Sequence, residues 1–263
     1  MLIDTHCHLD ATEFDADRAD VLARAFAAGL GAIVIPAVAS ANFDAVRALA
    51  TSDRRIVHAL GIHPLCVDEA GEGELDLLRR RVAAGIGDPR LVAIGEIGLD
   101  FFVPGFDRSR QEHFLHEQLR LARDHGLPVL LHVRRAHDAV LAQLRRVRPL
   151  TGIAHAFNAS RQQAQQYLDL GFALGFGGAL TWPRARRIRR LVQELPAQAH
   201  VLETDAPDIP PEWLAGRRNE PAELARIADV FADLRGVSRE EAIARTAENA
   251  LRVLPRLGPA LAA

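Results

Sequence analysis

Six side chains in this sequence have types and spacings that suit metal chemistry: His6, His8, Glu96, His132, His155 and Asp205. Imidazole and carboxylate are the groups that hold catalytic divalent ions. Each of the six stands at or near the carboxyl end of a short apolar run that reads as a buried strand. Alternate strand residues share a face, so His6 and His8 point the same way and Cys7 points away. His132 ends Pro128-Val129-Leu130-Leu131-His132, and His155 ends Gly152-Ile153-Ala154-His155. Glu96 lies in Ala93-Ile94-Gly95-Glu96-Ile97-Gly98, where an unpaired carboxylate is costly and needs a buried arginine or a metal. Asp205 follows Val201-Leu202-Glu203-Thr204, with Asp208 as a less strand-bound competitor. Any one of these alone suits a hydrogen-bonded core residue. Six together, each otherwise needing its own compensation, indicate a metal site.

The elements that must position them follow from the hydrophobic pattern. Strand-like runs at 2–8, 32–38, 56–62, 91–97, 128–133, 152–157, 172–177 and 200–204 alternate with amphipathic stretches such as 15–28, 111–125 and 185–195. Eight such units predict an α/β fold, a single (β/α)8 TIM barrel, with an extra C-terminal helix over about 239–254. Gly126 and Gly171 fall where a helix ends and a strand begins. No linker, low-complexity tract or repeat divides the chain, so 1–263 is expected to form one domain. Strand ends at one rim of such a barrel are where residues distant in sequence converge.

Composition narrows the function. The net charge of -2 is weak for a protein that coats duplex DNA, so nucleic-acid contact is expected to be local and transient. Two cysteines, Cys7 and Cys66, make no disulfide framework. No signal peptide or membrane-spanning run is visible, and a cytoplasmic monomer without membrane contact is the expectation. All 32 basic residues are arginine. Without lysine there is no Schiff base and no modified lysine to bridge two metals, so a carboxylate must serve as any bridge.

Leu2-Ile3-Asp4-Thr5-His6-Cys7-His8-Leu9-Asp10 resembles the N-terminal signature of the TatD-like metal-dependent hydrolases, a family that includes deoxyribonucleases. Gly95-Glu96-Ile97-Gly98-Leu99-Asp100, Pro128-Val129-Leu130-Leu131-His132-Val133-Arg134, Glu203-Thr204-Asp205-Ala206-Pro207 and Arg218-Asn219-Glu220-Pro221 extend the resemblance over nearly the whole chain. The stretch from Gly177 to Ala185 resembles the YjjV-type branch. The family implies a hydrolase barrel with two divalent ions, one held by His6, His8, Glu96 and Asp205 and the other by Glu96, His132 and His155, with Glu96 bridging. It also implies that His63 lies near the scissile group. The sequence departs from the usual pattern in His155-Ala156-Phe157-Asn158-Ala159-Ser160, where Ser-Gly-Ser is common after the aromatic residue, and at His200, where leucine is common.

Two adjacent ions lower the pKa of water and clamp the attacking and leaving oxygens of a phosphodiester. The histidine-rich set favours zinc, manganese or cobalt, with magnesium possible. Asp205 and Glu96 are the candidate catalytic carboxylates, with His63 beside them. Arg134, two past His132 on the same face, is placed to pair with substrate phosphate, or else with Asp138. Glu203 is expected to accept a hydrogen bond from a ligand histidine. Arg184, Trp182, Trp213 and the Arg218-Asn219 pair are further candidates for contacting a strand, with core or lid packing the commoner role for the tryptophans and Asn219 otherwise an N-cap with Pro221 in the first turn. The leading expectation is a deoxyribonuclease that trims DNA ends like a 3′-exonuclease. Hydrolysis of an ester, lactone or aminoacyl-tRNA by the same centre is the alternative, and a metal-holding scaffold is the third.

Overall fold

The computed structural model describes residues 1–262. Its eight strands are β1 (Leu2–Asp4), β2 (Leu30–Pro36), β3 (Ile56–Leu60), β4 (Leu91–Asp100), β5 (Val129–Arg134), β6 (Gly152–Ala154), β7 (Ala173–Phe176) and β8 (His200–Leu202). They pair in parallel in chain order, forming a (β/α)8 barrel. Helices α1 (Arg18–Ala27), α2 (Phe43–Ser52), α3 (Glu72–Gly85), α4 (Arg108–Asp124), α5 (His137–Arg146), α6 (Arg161–Asp169), α7 (Arg186–Glu194) and α8 (Leu224–Arg235) each follow one strand. Two more, α9 (Arg239–Val253) and α10 (Leu257–Ala262), end the chain; the sequence pattern anticipates the first and not the second. Gly126 and Gly171 take left-handed φ values of 63° and 86° at the helix-to-strand joints. No helix among the described residues is long and apolar enough to cross a membrane.

Side-chain alternation builds the barrel in layers. Ile3, Val34, Val57, Ala93, Leu130, Ile153, Ala173 and Val201 form one buried cluster with Ala250, Val253, Leu254 and Leu257 of α9 and α10 and the turn between them. These inward residues fill the amino-terminal half of the barrel, and the last two helices seal it. The next inward positions on the same strand faces carry His132, His155 and Glu203. The apolar layer thus serves as a floor for the polar one.

Several strands are shorter than their apolar runs. β1 stops at Asp4, β6 at Ala154 and β8 at Leu202. Beyond those points the chain keeps its course through other bonds. Thr5 N donates to Leu202 O at 3.1 Å, Asp205 N to His6 O at 2.8 Å and His8 N to Ala206 O at 2.8 Å, joining the ends of the first and last strands, which share no regular ladder. The Asp4 carboxylate accepts from the backbone N of His6 (3.2 Å) and Thr204 (3.0 Å) and from the Thr204 hydroxyl (2.6 Å). A buried side chain here replaces the sheet ladder and frees the next residues to turn into the barrel mouth.

Away from that mouth, His58 of β3 and His200 of β8 are buried, each with one ring nitrogen unpartnered. Burial lowers both pKa values to about 4; Asp88 opposes this at His58 while Arg47, Arg90 and Arg256 add to it, and Arg235 adds to it at His200. The unfolded chain binds these protons near pH 6.5, the folded one only near 4. The stability they contribute is therefore complete above pH 6.5 and declines as pH falls toward 4, on the order of 3 kcal/mol each at the limit. Urea denaturation at pH 7 and pH 4.5 should show a smaller acid loss in His58→Gln than in the wild type; equal losses would refute this.

Candidate metal centre

The structure brings all six sequence-predicted metal residues into one cluster at the carboxyl rim, with His6, Glu96, His155 and Asp205 buried and His8 and His132 partly exposed to the mouth. Glu96 projects inward from the middle of β4 and presents its two oxygens to different partners. Its Oε2 lies 3.1 Å from His6 Nε2 and 3.3 Å from His8 Nε2. Its Oε1 lies 3.0 Å from His132 Nδ1, 2.9 Å from His155 Nε2 and 3.6 Å from His63 Nε2. Asp205 Oδ1 completes the first side at 3.7 Å from His6 and 3.6 Å from His8. The His155 ring stacks on His6 with centroids 3.9 Å apart, so it borders both sides.

The donor set fits a divalent ion. His6 and His8 bring Nε2 atoms within 3.3 Å of each other, and His132 Nδ1 and His155 Nε2 stand 3.4 Å apart, each pair facing one carboxylate oxygen. Converging lone pairs of this kind are what zinc-like cations neutralise. Three trios have donors within 4.8 Å of one another: His6, His8 and Glu96; His6, His155 and Asp205; His63, Glu96 and His132. Burial alone would push the Glu96 carboxyl up, but His155, His6 and His63 and the bond to His132 hold it well below the usual carboxylate range. Burial alone would lower the neighbouring imidazoles, but the same Glu96, with Asp205 adding to it, leaves His155 raised to about 10 and His8 to about 9.

His63 is held differently from the other imidazoles. It caps the short turn that follows β3, its Nδ1 accepting from Leu65 N at 3.1 Å. With that lone pair engaged, a neutral ring carries its proton on Nε2, the atom that faces Glu96. Burial lowers the ring's pKa to about 3, which keeps it neutral. His63 therefore offers an N–H to the cavity rather than a lone pair.

The surrounding residues correct several expectations. Glu203 does not hydrogen-bond His155: its Oε1 is 4.0 Å from Nδ1 and accepts from Ala156 N at 2.5 Å instead. Its carboxylate lies over Gly175, where a Cβ would meet Oε2 at 2.1 Å. Burial pushes the Glu203 carboxyl up to about 8, with His155 opposing. Asn219 is no helix cap; it is buried and its amide donates to Thr204 O and Asp208 O, both at 2.9 Å, fixing the loop after Asp205. Arg218 is tied to Asp17 and Glu220 and does not line the cavity. Trp182 and Trp213 spend their indole N–H groups on Pro210 O and Glu223 and stay outside it, as does Arg184, which lies against Trp182. Asp138 accepts from Gln163 and leaves Arg134 to other contacts.

The cavity above the cluster has a volume of about 1500 Å³ and is lined by His63, Asp100, Phe102, Arg134, Arg187 and Asp208 among others. Asp100, given no role by sequence reasoning, lies 3.2 Å from His132 Nε2 through Oδ2. Its Oδ1 accepts from Phe102 N and Val103 N at 2.8 and 3.1 Å. Its signal was present: Glu96, Gly98 and Asp100 share one strand face. Asp205 sits just past β8 with φ 56°, a left-handed conformation that aspartate tolerates better than most residues.

An eight-stranded barrel with a histidine–carboxylate cluster at its carboxyl rim defines a hydrolase of the metal-dependent barrel class. The chain belongs to the TatD family, whose model, described as TatD related DNase, matches residues 3–255. It is 40% identical over 240 residues to the metal-dependent hydrolase YjjV of Escherichia coli K12, covering 91% of this chain and 92% of that one. The YjjV crystal structure superposes with a TM-score of 0.92 at 38% identity, covering 97% and 98% of the two chains. Human deoxyribonuclease TATDN3 is 33% identical over 267 residues, covering 97% and 95%. The chain is thus an enzyme, a metal-dependent hydrolase of this family.

If Asp100 orients His132 for a metal, Asp100→Asn should weaken zinc affinity about 10–100-fold. Competition with a chromophoric chelator measures this. Unchanged affinity would mean that Asp100 only anchors the turn at 102–103.

Proposed function

We propose that this enzyme is a two-metal phosphodiesterase that removes nucleotides from DNA ends in the manner of a 3′-exonuclease. The observation that carries the reading is the division of Glu96: one oxygen faces His6 and His8, the other His132 and His155. His6, His8, Glu96 and Asp205 would hold one ion, and Glu96, His132 and His155 the other. Bound there, zinc, manganese or cobalt would supply Lewis acidity to the phosphoryl oxygens and lower the pKa of the attacking water.

The chain's own groups would do the rest. Asp205 is buried beside His6 and His8, and burial raises its pKa, which suits a carboxylate that takes the proton of the attacking water. The His63 Nε2–H would donate to a phosphoryl oxygen, adding a hydrogen bond as charge develops there. Arg134 at the cavity wall would pair with a phosphate of the strand. Water oxygen bonds to phosphorus and the bond from phosphorus to O3′ breaks. O3′ takes a proton, leaving a hydroxyl-ended strand and a nucleoside 5′-phosphate. A pocket at a barrel rim suits a frayed or single-stranded end better than mid-duplex DNA.

End-labelled single strands incubated with metal-loaded protein should shorten stepwise, and Glu96→Ala should lose more than the roughly 10–100-fold typical of an outer-shell change. Absence of shortening, or equal shortening by the variant, refutes the reading. Hydrolysis of a carboxylic ester or lactone in preference to DNA would assign the same centre to carbonyl substrates.

A further inference from the structure

We infer that Phe102, with Arg134 and Arg135 against its ring, forms a stacking subsite for the nucleobase next to the phosphate under attack. The inference rests on the phosphodiesterase reading above and names the part of the substrate that this wall of the cavity holds.

Phe102 and Met1 are the exposed large hydrophobic side chains among the described residues, Phe102 at 43%. An isolated exposed phenylalanine is unremarkable on a protein surface. Its position and company are what matter. The ring belongs to the cavity wall, two residues past Asp100, and Asp100 spans from His132 Nε2 to the Phe102 backbone N. One carboxylate thereby sets the loop carrying the ring at a fixed place relative to the proposed metal ligand. The guanidinium carbon of Arg134 lies 3.7 Å from the ring centroid and that of Arg135 4.6 Å. Arg135 holds a left-handed φ of 55°, a conformation uncommon for a residue with a long side chain. Neither arginine pairs with a carboxylate among the described residues.

An aromatic face flanked by two uncompensated cations, at the mouth of a metal-binding cavity, matches a ligand that is both planar and anionic. A nucleotide has that chemistry: its base stacks on the ring or on a guanidinium plane, and its phosphate pairs with arginine. Every base has a π-face, so the subsite would be tolerant of sequence. The ring can take a base only when that base has left its own stack, which favours single-stranded and frayed ends over intact duplex. The two tryptophans are unavailable for this, since both lie outside the cavity.

The test uses metal-loaded protein and a fluorescently labelled single strand with hydrolysis-resistant phosphorothioate linkages, read by anisotropy. Phe102→Ala should weaken binding about 5- to 100-fold, and Phe102→Trp should keep wild-type affinity. Replacing the nucleotides near the 3′ end by abasic residues should abolish the difference between wild type and Phe102→Ala. Equal binding of the intact strand by wild type and Phe102→Ala overturns the subsite. So does an equal loss on intact and abasic strands. The two readings fail separately. Wild-type protein that leaves an ordinary phosphodiester strand uncut refutes the phosphodiesterase. A wild type that cuts it, alongside a Phe102→Ala that binds and cuts as well, refutes only the subsite.

Discussion

A carboxylate buried in an apolar barrel, Glu96 on β4, is the constraint around which the rest of this molecule is arranged. Left without compensation in that setting it would be severely destabilising or would take up a proton. Five imidazoles face its two oxygens, and against the opposing effect of burial they hold its pKa well below the ordinary carboxylate range, which favours the ionised form. Those imidazoles come from four different strand ends, so the carboxylate is satisfied only when the barrel is closed. The demand for compensation thus couples the polar cluster to global folding.

The polar layer is held in place by side chains that are not themselves in the cluster. Asp4 replaces missing sheet bonds between the first and last strands and allows the backbone carrying His6, His8 and Asp205 to turn inward. Asp100 links His132 to the turn after β4, and Asn219 braces the loop after Asp205 through two carbonyls. Below them the apolar layer sealed by α9 and α10 gives a rigid floor. Function at the mouth therefore depends on packing at the opposite end.

Much of this was legible in the residues. The period of two placed His6 with His8 and His132 with Arg134, because side-chain direction in a strand is a local property. Eight apolar runs separated by amphipathic stretches implied the barrel, and strand ends of such a barrel share one rim. The readings that failed concern contacts across loops. Arg218, Trp182 and Trp213 have residue types that suit a nucleic-acid strand, yet packing turned them toward Asp17, Pro210 and Glu223. Asn219, two residues before Pro221, looks like a helix cap, yet the helical turn starts after Glu220. Such outcomes depend on how loops from distant strands fold over one another, which no local pattern encodes.

The amino-acid sequence by itself determined which donors exist, which face of each strand they occupy and, through the absence of lysine, that any bridge must be a carboxylate. Tertiary structure sets the two oxygens of Glu96 against different histidines, a division that residue pattern did not reach and that only the family resemblance implied. It also decided that His63 turns an N–H inward, and that Phe102 rather than a tryptophan stands in the cavity wall. Alternation is a two-residue periodicity carried by the backbone. Ångström-scale convergence is set by barrel closure and loop packing among residues up to two hundred positions apart.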